Sequence, residues 1–148
     1  MRIYLRNTTR KHRVDSRRIV RTARTLLAAA GEPEGTLSLS LVGDAAIRRL
    51  NREHRGKDAA TDVLSFPLGP LPAAAGPERL LGDVVISLDT AARQAAGYGA
   101  TLDAEVRRLL IHGVLHVLGH DHERPAERAR MRAEERRLAA TVGLPWPY

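Results

Sequence analysis

The sequence predicts one domain that combines a small β-sheet with several helices, and three observations point there. Its 148 residues suit a single core of ordinary size and leave no room for two. Apolar residues at 43% and charged residues at 28% are near the averages of chains that fold. Segments with a two-residue hydrophobic period alternate with segments of helical period up to about Ser87, after which only helical patterns follow.

Residues 2 to 6 alternate, setting Ile3 against Tyr4 and Leu5 against Arg6, as a short first strand would. Asp15 or Ser16 can cap a helix whose stripe is Ile19, Val20, Ala23, Leu26, Leu27 and Ala30, closed by Gly31. Arg17, Arg21 and Arg24 occupy its solvated side. From Thr36 to Val42 the alternation is strict, with Leu37, Leu39 and Leu41 on one face and Ser38 and Ser40 on the other. Gly43 and Asp44 turn this strand into a short helix that uses Ile47 and Leu50 and ends near Asn51. Thr61 to Phe66 and Asp83 to Ser87 read as two further strands of the same sheet. The loop expected between them, 67–80, holds four of the eight prolines. Helices are expected from Asp89 to about Ala96, from Leu102 to Leu118 and from Pro125 to about Val142.

The chain has no apolar run near the roughly 20 residues of a membrane span, and its start is too charged for a signal peptide. A cytoplasmic protein is expected. The absence of cysteine removes disulfides and thiolate ligands, so any metal must be held by nitrogen and oxygen. Twenty-four basic against 17 acidic residues give a net charge of +7, which favours a polyanionic partner such as nucleic acid. The basic residues are arginine except Lys11 and Lys57, a bias that an arginine- and alanine-rich codon composition would also produce.

Four of the six histidines fall in IHGVLHVLGHDH, between positions 112 and 122. His112 and His116 are four apart in an apolar helix, so their imidazoles share one face and can reach one ion. The third ligand must be His120 or His122. In a continued helix His120 would lie roughly 12 Å along the axis from His112, beyond the reach of a common ion. Gly119 can end the helix in a left-handed cap, letting His122 fold back while His120 points elsewhere. Three histidines leave a position open for water, the pattern of a catalytic zinc, and zinc can bring the pKa of that water to about 7. The spacing of Gly119 and the third histidine matches the metzincin pattern, with Gly113 in the place of its glutamate base, which disfavours peptidase chemistry.

Upstream, NREHRGKDAATDVLSFP places Arg55, Gly56 and Lys57 in an expected loop before a strand. Arg55 alone reads as a solvated residue; next to a phosphate, its planar guanidinium can form bidentate hydrogen bonds. Taken together, His112 to His122, Arg55-Gly56-Lys57-Asp58, Thr61 to Phe66 and Leu81 to Ser87 resemble the YbeY family of bacterial metal-dependent endoribonucleases. That resemblance implies an α+β fold, a small mixed sheet packed with helices, around a metzincin-like three-histidine site. It implies one zinc on His112, His116 and His122, and Arg55 as the active-site arginine. It also implies single-stranded RNA as substrate, with a role in maturing ribosomal RNA, at the 3′ end of the small-subunit RNA, and in ribosome quality control. His120 departs from the family, where an aromatic residue such as tyrosine is expected.

Alternatives remain from other classes: a zinc peptidase or amidase, and a metal-stabilised ribosome-binding assembly factor that does not cleave. Asp62, Asp83 and Asp121 are the carboxylates within the motifs, and none is assigned as general base. Nickel also suits imidazole ligands.

Overall fold

The computed structural model describes residues 2–68 and 79–146. The elements in chain order are β1 (Arg2–Asn7), α1 (Ser16–Ala29), β2 (Gly35–Val42), α2 (Asp44–Arg55), β3 (Val63–Pro67), β4 (Arg79–Ser87), α3 (Leu88–Tyr98), α4 (Leu102–Val117) and α5 (Pro125–Thr141). The strands form one mixed sheet in the order β1-β2-β4-β3, parallel except for β3, which runs antiparallel to β4. This is the α+β class expected. No helix among the described residues is long and apolar enough to cross a membrane.

Three boundaries differ from the sequence reading, each for a local reason. The strand expected from Asp83 begins at Arg79, so the loop expected over 67–80 is shorter, and its residues 69–78 lie outside those described. Gly82 is the cause, because a glycine inside a strand pattern reads as a break. Here it lies where β3 passes so close that a Cβ would sit 2.4 Å from the Phe66 carbonyl oxygen, and its φ of 153° suits glycine. The sheet register slips beside it, leaving Leu81 as the extra residue between the Thr36 and Leu37 pairings. The strand expected from Thr61 begins at Val63, since the Asp62 carboxylate accepts the Val63 amide at 2.8 Å and caps the turn. The helix expected to end near Asn51 runs one turn further, so Arg55 is its last residue and not part of a loop. Gly56 at φ 71° closes it in a left-handed cap.

Alternation along the strands gives the sheet two covered faces. Leu37, Leu39, Leu41, Val84 and Ile86 meet α1, α3, α4 and α5 in the main core, whereas Val42, Leu64 and Val85 meet Ile47 of α2 behind it. Helix α4 packs against both β3 and β4. Its closest approach is at Gly113, where a Cβ would stand 2.6 Å from Val84 Cγ1 and 3.3 Å from Ser65 Oγ. Ser65 Oγ instead donates to the Gly113 carbonyl at 3.0 Å. A side chain at position 113 therefore has no room.

The start of α2 is clasped to the β4–α3 junction from two sides. Asp89 accepts the Asp44 amide at 2.9 Å, while the Asp44 carboxylate accepts from Ser87 and Thr90 hydroxyls at 2.7 Å each and from Arg93 at 2.8 Å. Partial burial pushes the Asp44 carboxyl up, but these hydrogen bonds outweigh it and hold it below its usual range. The Asp44 amide and His12, at 2.7 Å, bring Asp89 down to about 2.

Two outcomes follow. Gly113→Ala should destabilise the fold by about 1–3 kcal/mol through overpacking, read as a lower denaturant midpoint with an unchanged m-value. Asp89 titrates near 2 when folded against 3.8 as a model group, so its stabilisation is full above pH 3.8 and is lost as pH falls through about 2. Asp89→Asn should therefore lower stability at neutral pH and flatten the acid limb of the stability curve in that window. An acid limb identical to that of the parent chain would contradict this.

Candidate metal centre

The last two turns of α4 carry His112 and His116 on the face that Gly113, Val114, Leu115 and Val117 leave uncommitted, since those four are buried. The helix ends as its sequence suggests. Gly119 takes φ 98°, its amide bonding the His116 carbonyl at 3.0 Å, and the His120 amide reaches back to the Leu115 carbonyl at 3.0 Å. This paired bonding is a Schellman cap, and it reverses the chain within two residues. His122 then returns over the helix end, where its backbone is steadied by the Asp121 carboxylate at 2.7 Å and by Arg128 Nε, which donates to its carbonyl at 3.2 Å.

The result is a cluster in which one nitrogen each of His112, His116 and His122 lies within 4.8 Å of the others. The Nε2 atoms of His112 and His116 are 3.1 Å apart. Two ligands of one tetrahedral zinc stand roughly 3.3 Å apart. A hydrogen bond would account for that pair alone, but a third imidazole closing on both is what a shared cation requires. Burial holds His116 below its usual pKa, and the nearby His112 and His122 push the same way against a smaller opposing pull from Asp121. Its ring thus stays neutral at neutral pH, the form that binds metal. His120 is outside the cluster but lines the same cavity as the three histidines.

Arg55 reaches the same place from the opposite face of the sheet. A cavity of about 750 Å³ is lined by Arg55, His54, Thr61, Asp62, strand β3 and the three histidines. The stem of α2 holds the arginine in position: Asn51, 3% exposed, donates to the Ala59 carbonyl at 2.9 Å, and Asp58 pairs with Arg48 at 2.8 Å. Arg55 itself is exposed and has no ion pair among the described residues. Of the three motif carboxylates, Asp62 and Asp121 line the cavity and Asp83 does not. Asp62 is committed on both oxygens, to Val63 and Thr61 on one and to Gln94 on the other. Asp121 steadies the His122 backbone rather than a histidine ring.

A model of the family described as Endoribonuclease YbeY matches residues 4–143. The chain belongs to that family. Of relatives bearing the same description, the one from Geobacter sulfurreducens is 42% identical over 144 residues, which is 96% of this chain and 96% of that protein. The relative from Anaeromyxobacter sp. (strain Fw109-5) is 57% identical over 87% of this chain, and that from Myxococcus xanthus is 63% identical over 73% of it. The chain spans 66% and 37% of those two proteins' own lengths. A Thermotoga maritima protein solved in solution shares the fold, with a TM-score of 0.63 at 23% identity over 95% of this chain and 88% of that one.

In this YbeY chain two participants escape a reading of sequence. Glu135 of α5 brings a carboxylate oxygen to 3.7 Å from His112 Nδ1, behind the nitrogen that faces the cluster. At that distance it is an electrostatic neighbour rather than a hydrogen-bond partner of the imidazole. It is one of several acids on a charged helix, with no local pattern to single it out. His54 meets Phe66 edge-on at 5.1 Å and walls the cavity beside Arg55, a contact between α2 and β3 that spacing cannot reveal.

The convergence predicts that alanine at His112, His116 or His122 abolishes stoichiometric metal in purified protein, whereas His120→Ala retains it. Metal analysis of the four variants checks this, and loss in His120→Ala with retention in His122→Ala would reassign the third ligand.

Proposed function

We propose that the chain acts as a single-domain, metal-dependent endoribonuclease on single-stranded RNA, in the cytoplasm. Its proposed setting is the maturation of ribosomal RNA at the small-subunit 3′ end and ribosome quality control. The observation that carries this reading is the meeting of three imidazole nitrogens and an exposed, uncommitted arginine in one open cavity. The description shared by its relatives supports it.

His112, His116 and His122 are proposed to hold one ion, zinc by their nitrogen-only donor set, with nickel as a chemical alternative. Such an ion supplies Lewis-acid chemistry and activates water near neutral pH. The remaining work falls to the chain. Arg55 offers a planar pair of donors to a phosphate gaining negative charge, a geometry lysine does not reproduce. The +7 charge of the chain raises the local concentration of a polyanion around it. Peptidase chemistry of the glutamate-assisted kind is disfavoured by more than the missing side chain, because the space at position 113 is filled by Val84, Ser65 and Val63.

The test is to incubate metal-loaded protein with single-stranded RNA, duplex RNA and a peptide panel, beside His116→Ala. Cleavage of single strands alone, lost in the variant, is the expected result; RNA binding without cleavage would favour the assembly-factor reading. Within the reaction, Arg55→Ala and Arg55→Lys should each lower kcat by about 10²–10³-fold with metal content unchanged and RNA binding reduced much less. Full cleavage by Arg55→Ala at saturating RNA would return Arg55 to the solvated surface.

A further inference from the structure

The histidine cluster has a second side. His112 and His122 also line a separate cavity of about 520 Å³, whose other walls include Arg128, Met131, Arg132 and Glu135 of α5 and Trp146. The two cavities thus meet at the histidines, one carrying Arg55 and the other two exposed arginines. We propose that this second cavity is a nucleotide subsite for the flank of a single-stranded RNA, with a backbone phosphate on Arg128 and Arg132 and a base against Trp146. The proposal rests on the endoribonuclease reading above and extends it to a strand held on both sides of the metal centre.

The arrangement on α5 supports it. Arg128 and Arg132 are four residues apart, so they project from one helix face a turn apart, and Met131, 1% exposed, anchors that stretch to the core. Arg132 makes no ion pair among the described residues, although acids are frequent along the helix. Arg128 uses Nε on the His122 carbonyl, which leaves its terminal nitrogens to face the cavity. The third guanidinium in the wall, Arg108, is committed to Glu105 and Gln94 and serves the scaffold. Glu135 forms no ion pair with either arginine among the described residues; its carboxylate lies 3.7 Å from His112 Nδ1, so the wall carries two uncommitted cations against one acid. Trp146 is the chain's single tryptophan, partly packed on the main core and lining the cavity.

This chemistry selects a single strand. A ring that receives a base needs that base unstacked, as it is in single-stranded RNA and not in a duplex. Phosphates one nucleotide apart can then meet paired arginines on one side while the reacting phosphate lies at the histidines. A structured or duplex substrate would satisfy the arginines without reaching Trp146.

The test uses steady-state cleavage of single-stranded RNAs of about 4 and about 12 nucleotides by metal-loaded protein. Arg132→Glu is the informative variant, because Arg132 is exposed and holds no other residue in place; Arg24→Glu on the solvated face of α1 controls for net charge. We expect Arg132→Glu to raise KM about tenfold for the longer RNA and less than about twofold for the shorter, with Arg24→Glu shifting both lengths equally. The longer RNA should also quench Trp146 emission more than the shorter one. A ratio of the two KM values unchanged by Arg132→Glu, a ratio shifted as much by Arg24→Glu, or emission untouched at saturating RNA would each overturn the subsite. Failure of the parent protein to cleave either RNA would instead overturn the nuclease reading on which it rests.

Discussion

Helix α4 lies against the β3–β4 edge of the sheet with backbone rather than side chain at the point of contact, and the position of every group in the metal centre depends on that approach. Gly113 permits it, and Ser65 Oγ fixes it by donating a hydrogen bond to the Gly113 carbonyl. Ile111, Val114 and Leu115 beside Gly113 are buried, so the helix cannot rotate without exposing Val114 or Leu115. His112 and His116 are consequently aimed by a packed core rather than by each other. A ligand pair held this way is preorganised before any cation arrives, which lowers what binding must spend on ordering.

From that fixed helix, the remaining groups are delivered by chain reversals. Both α2 and α4 end in left-handed glycines, Gly56 and Gly119, and in each case the residue the site needs stands within three positions of the glycine. The reversal after Gly119 returns His122 over the helix end; the cap at Gly56 stops α2 with Arg55 at its tip. The far end of α2 is clasped by Asp44, Ser87, Thr90 and Asp89, so the helix acts as a rod between the β4–α3 junction and the cavity. Arginine and metal centre thereby come from opposite faces of one sheet yet keep a constant relation.

What the sequence reveals and what it hides divide along the range of the interactions. The histidine cluster is legible because a helical spacing of four, a glycine stop and one further histidine are local facts, and local geometry suffices to place His122 rather than His120 with the other two. The core strand β2 is legible from its alternation and β4 from its β-branched run Val84, Val85 and Ile86, as is the α1 stripe from Ile19 to Leu27. The end of α2 is not, because its last turn, Arg52 to Arg55, carries no apolar residue and is stabilised by Asp58 and the Gly56 cap beyond it. The start of β4 is hidden by Gly82, whose role is a close approach to Phe66 that only the paired strand reveals. Glu135 is hidden for the same reason at longer range, since its meaning comes from His112 on another helix.

The identity of position 113 also bears on the proposed choice of phosphate over peptide chemistry. In a zinc peptidase of the same histidine spacing, a glutamate next to the first histidine takes the proton of the nucleophilic water. Here that position points into the sheet, where even a methyl group meets Val84 at 2.6 Å, so the helix has exchanged a base for close packing. Arginines stand on both sides of the histidines, Arg55 on one and Arg128 and Arg132 on the other, while Asp62 and Asp121 are tied to backbone amides and Glu123 is the exposed carboxylate at the cavity wall. A neutral amide gains little from such surroundings. A phosphodiester carries charge through its ground state and more through its transition state, so guanidinium groups on both flanks match the proposed substrate better than they match an amide.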